Sequence, residues 1–129
     1  MLKSGILNPQ INALLSRVRH TNLLVIADRG FPYWPMIETV DIALVDGIPT
    51  VLQVLAAIRP NFSIGRAAMA TEFVQNNTAE ICSAFAAALE GIALEHLPHA
   101  EFKKRIPAAI GLIRTGDTTQ YANLILESA

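Results

Sequence analysis

The run Leu23–Ala27 (LLVIA) contains no polar residue, yet His20, Thr21 and Asn22 precede it and Asp28, Arg29 and Gly30 follow it. A strand with one wet face alternates apolar and polar residues. A short run without alternation needs cover on both faces, as in a parallel or mixed sheet flanked by helices. Segments able to supply that cover are present. Asn8 and Pro9 read as an N-cap and first helical residue, and Ile11, Leu14, Leu15 and Val18 then share one face of a helix carried to near His20. Gly47 to Pro49 turns the chain into a helix bearing Leu52, Leu55 and Ile58, which Pro60 closes. Thr78 opens another through Ile81, Phe85, Ala88 and Leu89, with Gly91 as its stop, and Ala100 to Ile106 is helical with Phe102 and Ile106 inward. Alternation of Val40, Ile42 and Leu44 with Asp41 and Ala43 gives a second strand, and Ile64–Ala70 a third. Ile110–Arg114 and Tyr121–Leu126 are two further strands around the turn TGDTTQ, and the short apolar piece Ile92–Leu94 leads to His99. The expectation is one α/β domain over residues 1–129, with a three-layer α/β/α architecture and a mixed, largely parallel sheet.

Composition narrows what such a domain does. A net charge of −1, with no segment concentrating Lys and Arg, argues against a nucleic-acid partner. The longest charge-free stretches, such as Gly47–Ile58, fall short of the roughly 20 residues of a membrane-spanning helix, and Lys3 is followed by Ser4 and Gly5 and not by an apolar signal region. A lone Cys82 rules out an internal disulfide and a cysteine cluster for zinc, so a reduced, cytoplasmic setting is expected. With 52% apolar residues in 129, more apolar surface is present than one small core readily hides, and a homo-oligomer is expected.

Chemistry has few places to reside. In open α/β sheets ligands collect beyond the carboxyl ends of strands, and Asp28, between a buried strand and the loop RGFPYWP, occupies such a position. Taken singly, Asp28 also reads as a turn residue and His20 as a helix-end cap. His96 and His99 have an H-x-x-H spacing, but a proline separates them and no second acidic ligand or cysteine is near, so no metal site is expected. Neither a nucleophile elbow nor a phosphate-cradling glycine loop occurs.

Four segments taken together, GILNPQINALLSRVRHTNLLVIADRGFP, DIALVDGIPTVLQVL, HAEFK and IRTGDTTQYANLIL, resemble the D-ribose pyranase and L-fucose mutarotase family from Gly5 to Leu126. The ribose branch is nearer, since it carries a histidine before E-F-K, as His99 stands here, and an I-D-x-x-L-x-x-G-x-P pattern that Val40–Pro49 follows. The resemblance implies interconversion of ring forms or anomers of a free monosaccharide, D-ribose foremost and L-fucose or another sugar as alternative, without cofactor or metal. It implies His20 as proton donor, and Asp28, His99, Tyr121 and Asn123 as sugar contacts. Pentamers or decamers with sites between subunits are implied as well. Two departures bear on the substrate: DRGFP stands where the family commonly has Asp-Ala-Gly-Leu-Pro, and RHTN where the fucose branch usually reads G-H-G-D. A non-catalytic sugar-binding protein using the same pocket is the competing reading.

Eight residue steps separate His20 from Asp28, about 26 Å if fully extended at roughly 3.3 Å per residue. One sugar cannot bridge that distance. Either the chain doubles back at Thr21 and Asn22, or His20 and Asp28 of one site come from neighbouring subunits.

Overall fold

The structure, a computed structural model, describes residues 1–129. At its centre β1 (Leu23–Ala27) is paired on one side with β5 (Ala109–Arg114), parallel, and on the other with β6 (Leu124–Ser128), antiparallel. Beyond β5 lies β2 (Glu38–Asp41), and beyond β6 lie β3 (Ile64–Ala70) and β4 (Ala93–Leu97), giving the order β2-β5-β1-β6-β3-β4. Only β6 runs against the rest. That matches the mixed, largely parallel sheet expected.

Both faces are covered, which is why Leu24 to Ala27 are fully buried. On one face, α1 (Pro9–Arg17), α2 (Val51–Ile58), α3 (Thr71–Asn76) and α4 (Ala79–Ala88) bring Ile11, Leu14, Val54, Leu55, Phe73 and Phe85 onto Leu24, Ile26, Met69 and Leu126. On the other, α5 (His99–Arg105) and a following 3₁₀ turn (Ile106–Ala108) set Phe102 and Ile106 against Val25, Ala27, Leu112 and Ile125, with Phe31 closing the end. Helix starts follow local chemistry. The Asn8 side chain accepts the Ile11 N–H, and Thr50 with Gln53 forms a complete capping box on α2.

Several element boundaries differ from the sequence reading. Helix α1 stops at Arg17, capped at Val18, so His20 lies in a separate turn. Strand β2 ends at Asp41; Ile42 still donates to the Arg114 carbonyl, but Leu44 donates to Ile48 within a tight reversal around Gly47 (φ +80°). Gly116 packs against this reversal so closely that a Cβ there would sit 2.3 Å from the Val45 carbonyl oxygen. Ala93–Leu97 is an edge strand and not merely an apolar connector. Strand β6 begins at Leu124, because Tyr121 adopts a positive φ (+55°) that belongs to a turn and not to a strand. Helix α3 has no counterpart in the sequence reading.

Candidate functional site

The antiparallel course of β6 decides where the polar residues meet. Its preceding turn lies at the same end of the sheet as the carboxyl ends of β1, β3 and β4, so the Tyr121–Asn123 segment faces Asp28 after β1 and His99 after β4. Asp28, Gly30, Phe31, Pro32, His99, Gln120, Tyr121 and Asn123 line one open cavity of about 340 Å³. This volume lies at the small end of ligand-binding clefts and suits a single small polar molecule. Another cavity, about 260 Å³ between the start of α1 and α2, is walled mainly by Ile6, Leu7, Ile11, Ile42, Val54 and Ile58 and offers little to a polyol.

Backbone amides hold Asp28 in place. Its N–H donates to Asn123 Oδ1 at 2.8 Å, and its Oδ1 accepts the Gly30 N–H at 2.9 Å. Arg29 N–H donates to the Asp117 carbonyl at 3.0 Å. Asp117 itself, 4% exposed, accepts Val51 N–H on Oδ2 and Thr119 N–H on Oδ1, so one buried carboxylate ties the start of α2 to the loop leading into Tyr121. Asn123, 2% exposed, spends its carbonyl on Asp28, which leaves its amide nitrogen as a donor beside that carboxylate.

Aromatic packing builds the opposite wall. The His99 ring meets the Tyr121 ring edge-on with centroids 5.1 Å apart, lies nearly parallel to Phe102 at 6.0 Å, and meets Phe31 at 6.2 Å. Burial pushes the His99 imidazole below its ordinary pKa, helped by Lys103 and opposed by Glu72 and Asp28, so the ring is neutral at neutral pH. A neutral imidazole both accepts and donates a hydrogen bond.

Burial pushes the Asp28 carboxyl in the other direction, above the ordinary carboxylate range. The Gly30 amide, Asn123 and the Phe31 amide pull it back, and Asp117 adds to the rise. A raised folded-state pKa means that this group favours the folded state most at low pH and loses that contribution as pH climbs through the folded value. Asp28→Asn is therefore expected to melt at a higher temperature than wild type near neutral pH, with the difference shrinking as both are acidified into the carboxylate range. A variant less stable than wild type at neutral pH would contradict the burial penalty.

His20 stands apart. It is exposed in a turn at the amino end of β1, opposite the end that carries Asp28, and Thr21 N–H there donates to the Ser128 carbonyl at the far end of β6. A turn does form over Arg19–Asn22, with Asn22 N–H on the Arg19 carbonyl, yet it does not bring His20 to the cavity. Doubling back within one chain is thus excluded, because β1 is extended along its whole length. The aromatic loop residues also divide. Phe31 lines the cavity, Trp34 packs against the core beneath it, and Tyr33 is exposed outside it. Gln120 is a lining residue that sequence reasoning missed, since a polar residue in a turn carries no pattern of its own.

The whole chain, residues 1–129, matches the model of the RbsD / FucU transport protein family. A protein named D-ribose pyranase from Chromobacterium violaceum is 44% identical over 128 residues, covering 99% of this chain and 97% of its own, and one from Laribacter hongkongensis is 40% identical with the same coverage. Among solved structures, Bacillus subtilis RbsD complexed with D-ribose superposes with a TM-score of 0.93 at 32% identity, covering 100% of this chain and 98% of that one. The chain belongs to the RbsD / FucU transport protein family, whose D-ribose pyranase branch its motifs resemble.

Proposed function

We propose that this protein is an isomerase that interconverts the pyranose and furanose forms of D-ribose in the cavity bounded by Asp28, His99, Tyr121 and Asn123. The observation that carries this reading is the convergence of a carboxylate, a neutral imidazole, a phenol and an amide around a space sized for one monosaccharide. The D-ribose pyranase relatives and the ribose-bound structural neighbour support the choice of sugar.

Ring opening needs a proton delivered to the ring oxygen while the anomeric hydroxyl gives one up. The C1–ring-oxygen bond breaks, leaving the open-chain aldehyde. Closure through the C4 hydroxyl in place of the C5 hydroxyl reverses both proton movements and gives the furanose. The Asp28 carboxylate accepts from sugar hydroxyls, the Asn123 amide donates, and His99 and Tyr121 offer both functions. His20 is assigned as the proton donor, because an imidazole can both give up and take up a proton and so serves either direction of transfer.

This assignment requires His20 to arrive from another copy of the chain, and the assembly we propose is the ring of five subunits, or stack of two such rings, that the family resemblance implies, working in the cytoplasm. Leu44, Val45 and Ile48 are exposed together on one loop, with relative exposures of 75%, 58% and 53%, and support such an assembly. The reading is tested by saturation-transfer NMR on D-ribose and on L-fucose with the wild-type protein. Faster pyranose–furanose exchange on ribose is expected. Sugar binding without acceleration would make the protein a carrier or sensor instead.

A further inference from the structure

Helix α3 makes two polar attachments, one at each end, and they reach the two segments whose rings meet in the aromatic wall of the cavity. At its start, the Glu72 carboxylate accepts the His99 backbone N–H with both oxygens, at 2.9 and 3.2 Å. At its end, the Asn77 amide nitrogen donates to the Phe73 carbonyl at 2.8 Å and to the Gln120 carbonyl at 2.9 Å, the latter on the turn that carries Tyr121. Between them Phe73 is 2% exposed and packs on Phe85 with ring centroids 4.7 Å apart, which pins the helix to the core. Neither Glu72 nor Asn77 lines the cavity.

We infer that α3 is a rigid bracket setting the separation of His99 from Tyr121, with Glu72 and Asn77 as positioning residues for sugar binding. A helix rises about 1.5 Å per residue and does not stretch, so its two attachment points move together or not at all. Both rings need such support. His99 Nδ1 is buried without a hydrogen-bond partner, so no bond of its own at that nitrogen orients the ring, and the backbone that carries it must be held from outside. Tyr121 occupies a positive φ that a non-glycine residue keeps only where its surroundings impose it. Lys103 on α5, Asp28 across the cavity, Tyr121 and Glu72 are the titratable groups around His99, and among them Glu72 and Asp28 favour its protonated form.

The inference rests on the sugar-isomerase reading of the cavity, and its test separates the two. Glu72→Ala, Glu72→Gln, Asn77→Ala and Asn77→Asp would be assayed for KM and kcat in D-ribose exchange, alongside NMR of the His99 and Tyr121 side chains without sugar. Losing one bracket bond is expected to raise KM by up to about tenfold with a smaller change in kcat, the equivalent of one hydrogen bond. Glu72→Gln keeps an acceptor for the His99 amide, so it should restore KM while lowering the His99 pKa. Asn77→Asp should be worse than Asn77→Ala, since it sets a carboxylate against two carbonyls. If the alanine variants leave KM and the His99 and Tyr121 resonances at wild-type values, the bracket is wrong, whatever happens to Tm. If wild type fails to accelerate ribose exchange, the sugar reading fails, and the sugar-free resonances still decide whether α3 positions the two rings.

Discussion

His20→Ala is expected to lower the acceleration of ribose ring exchange by about 10²- to 10⁴-fold, the range for loss of a positioned general acid. D-Ribose binding should largely survive, because Asp28, His99, Tyr121 and Asn123, the residues proposed to hold the sugar, all remain in place. The stronger test mixes two inactive proteins. In the proposed ring the contact between neighbours would be head-to-tail, so each site would take His20 from one subunit and Asp28 from the next. When His20→Ala and Asp28→Asn chains are unfolded together and refolded in equal amounts, about a quarter of the sites inherit both native residues by random assortment. Activity near that fraction of wild type is the expected outcome. If the mixture is as inactive as its parents, the two residues do not share a site across subunits, and the donor must be sought among the residues that line the cavity.

Phe102→Ala is expected to have the largest effect on stability. The ring is fully buried, sits among Val25, Ala27, Leu97, Ile106, Leu112 and Ile125, and meets Phe31 edge-on at 6.1 Å. Truncating a buried phenylalanine to alanine destabilises by about 3–5 kcal/mol, through lost transfer energy and the cavity left behind. For a chain of this size that corresponds to a fall in Tm of roughly 10–20 °C. The measurement is thermal or denaturant unfolding at a fixed protein concentration, since an oligomer's apparent stability varies with it. Because His99 stacks on Phe102, the variant should also bind ribose more weakly under conditions where it remains folded. Phe102→Leu should lose much less, as it preserves most of the volume. A Phe102→Ala protein that melts within a degree or two of wild type would mean that this face of the sheet is not a packed core.

These two residues also mark where the sequence is readable. Leu23–Ala27 and Ile64–Ala70 announce themselves because burial on both faces, or at the end of a strand, leaves an apolar signature that survives any tertiary context. Phe102 and Ile106 are likewise legible from helical spacing. Helix α3 is not, because TEFVQN completes fewer than two turns and turns a single residue, Phe73, inward. Strand β4 is hidden for a related reason: at a sheet edge Glu95 and His96 stay exposed, so ALEHL lacks the apolar character of a buried strand. Within the site, Asp28 follows from the rule about strand ends. Gln120, Glu72 and Asn77 do not, since their roles depend on which turn lies beside which helix. The distance from His20 to Asp28 is plain arithmetic on the chain, whereas what would close it in the proposed assembly is a property of the contact between copies and not of one chain.

The position of β6 bears on how the molecule is made. It is the last strand in chain order, yet it lies between β1 and β3, so without it the sheet consists of two separate fragments, β2-β5-β1 and β3-β4. Each fragment would present an unpaired, apolar edge until β6 arrives. Native pairing therefore links both β1, near the start of the chain, and β3, in its middle, to β6, a non-local arrangement that slows folding and prolongs the exposure of sticky intermediates. During synthesis on the ribosome the sheet cannot be completed until that strand has emerged. Substitutions in Leu124–Leu126 should accordingly act on the yield of soluble protein in the cell more strongly than their effect on the finished molecule would suggest.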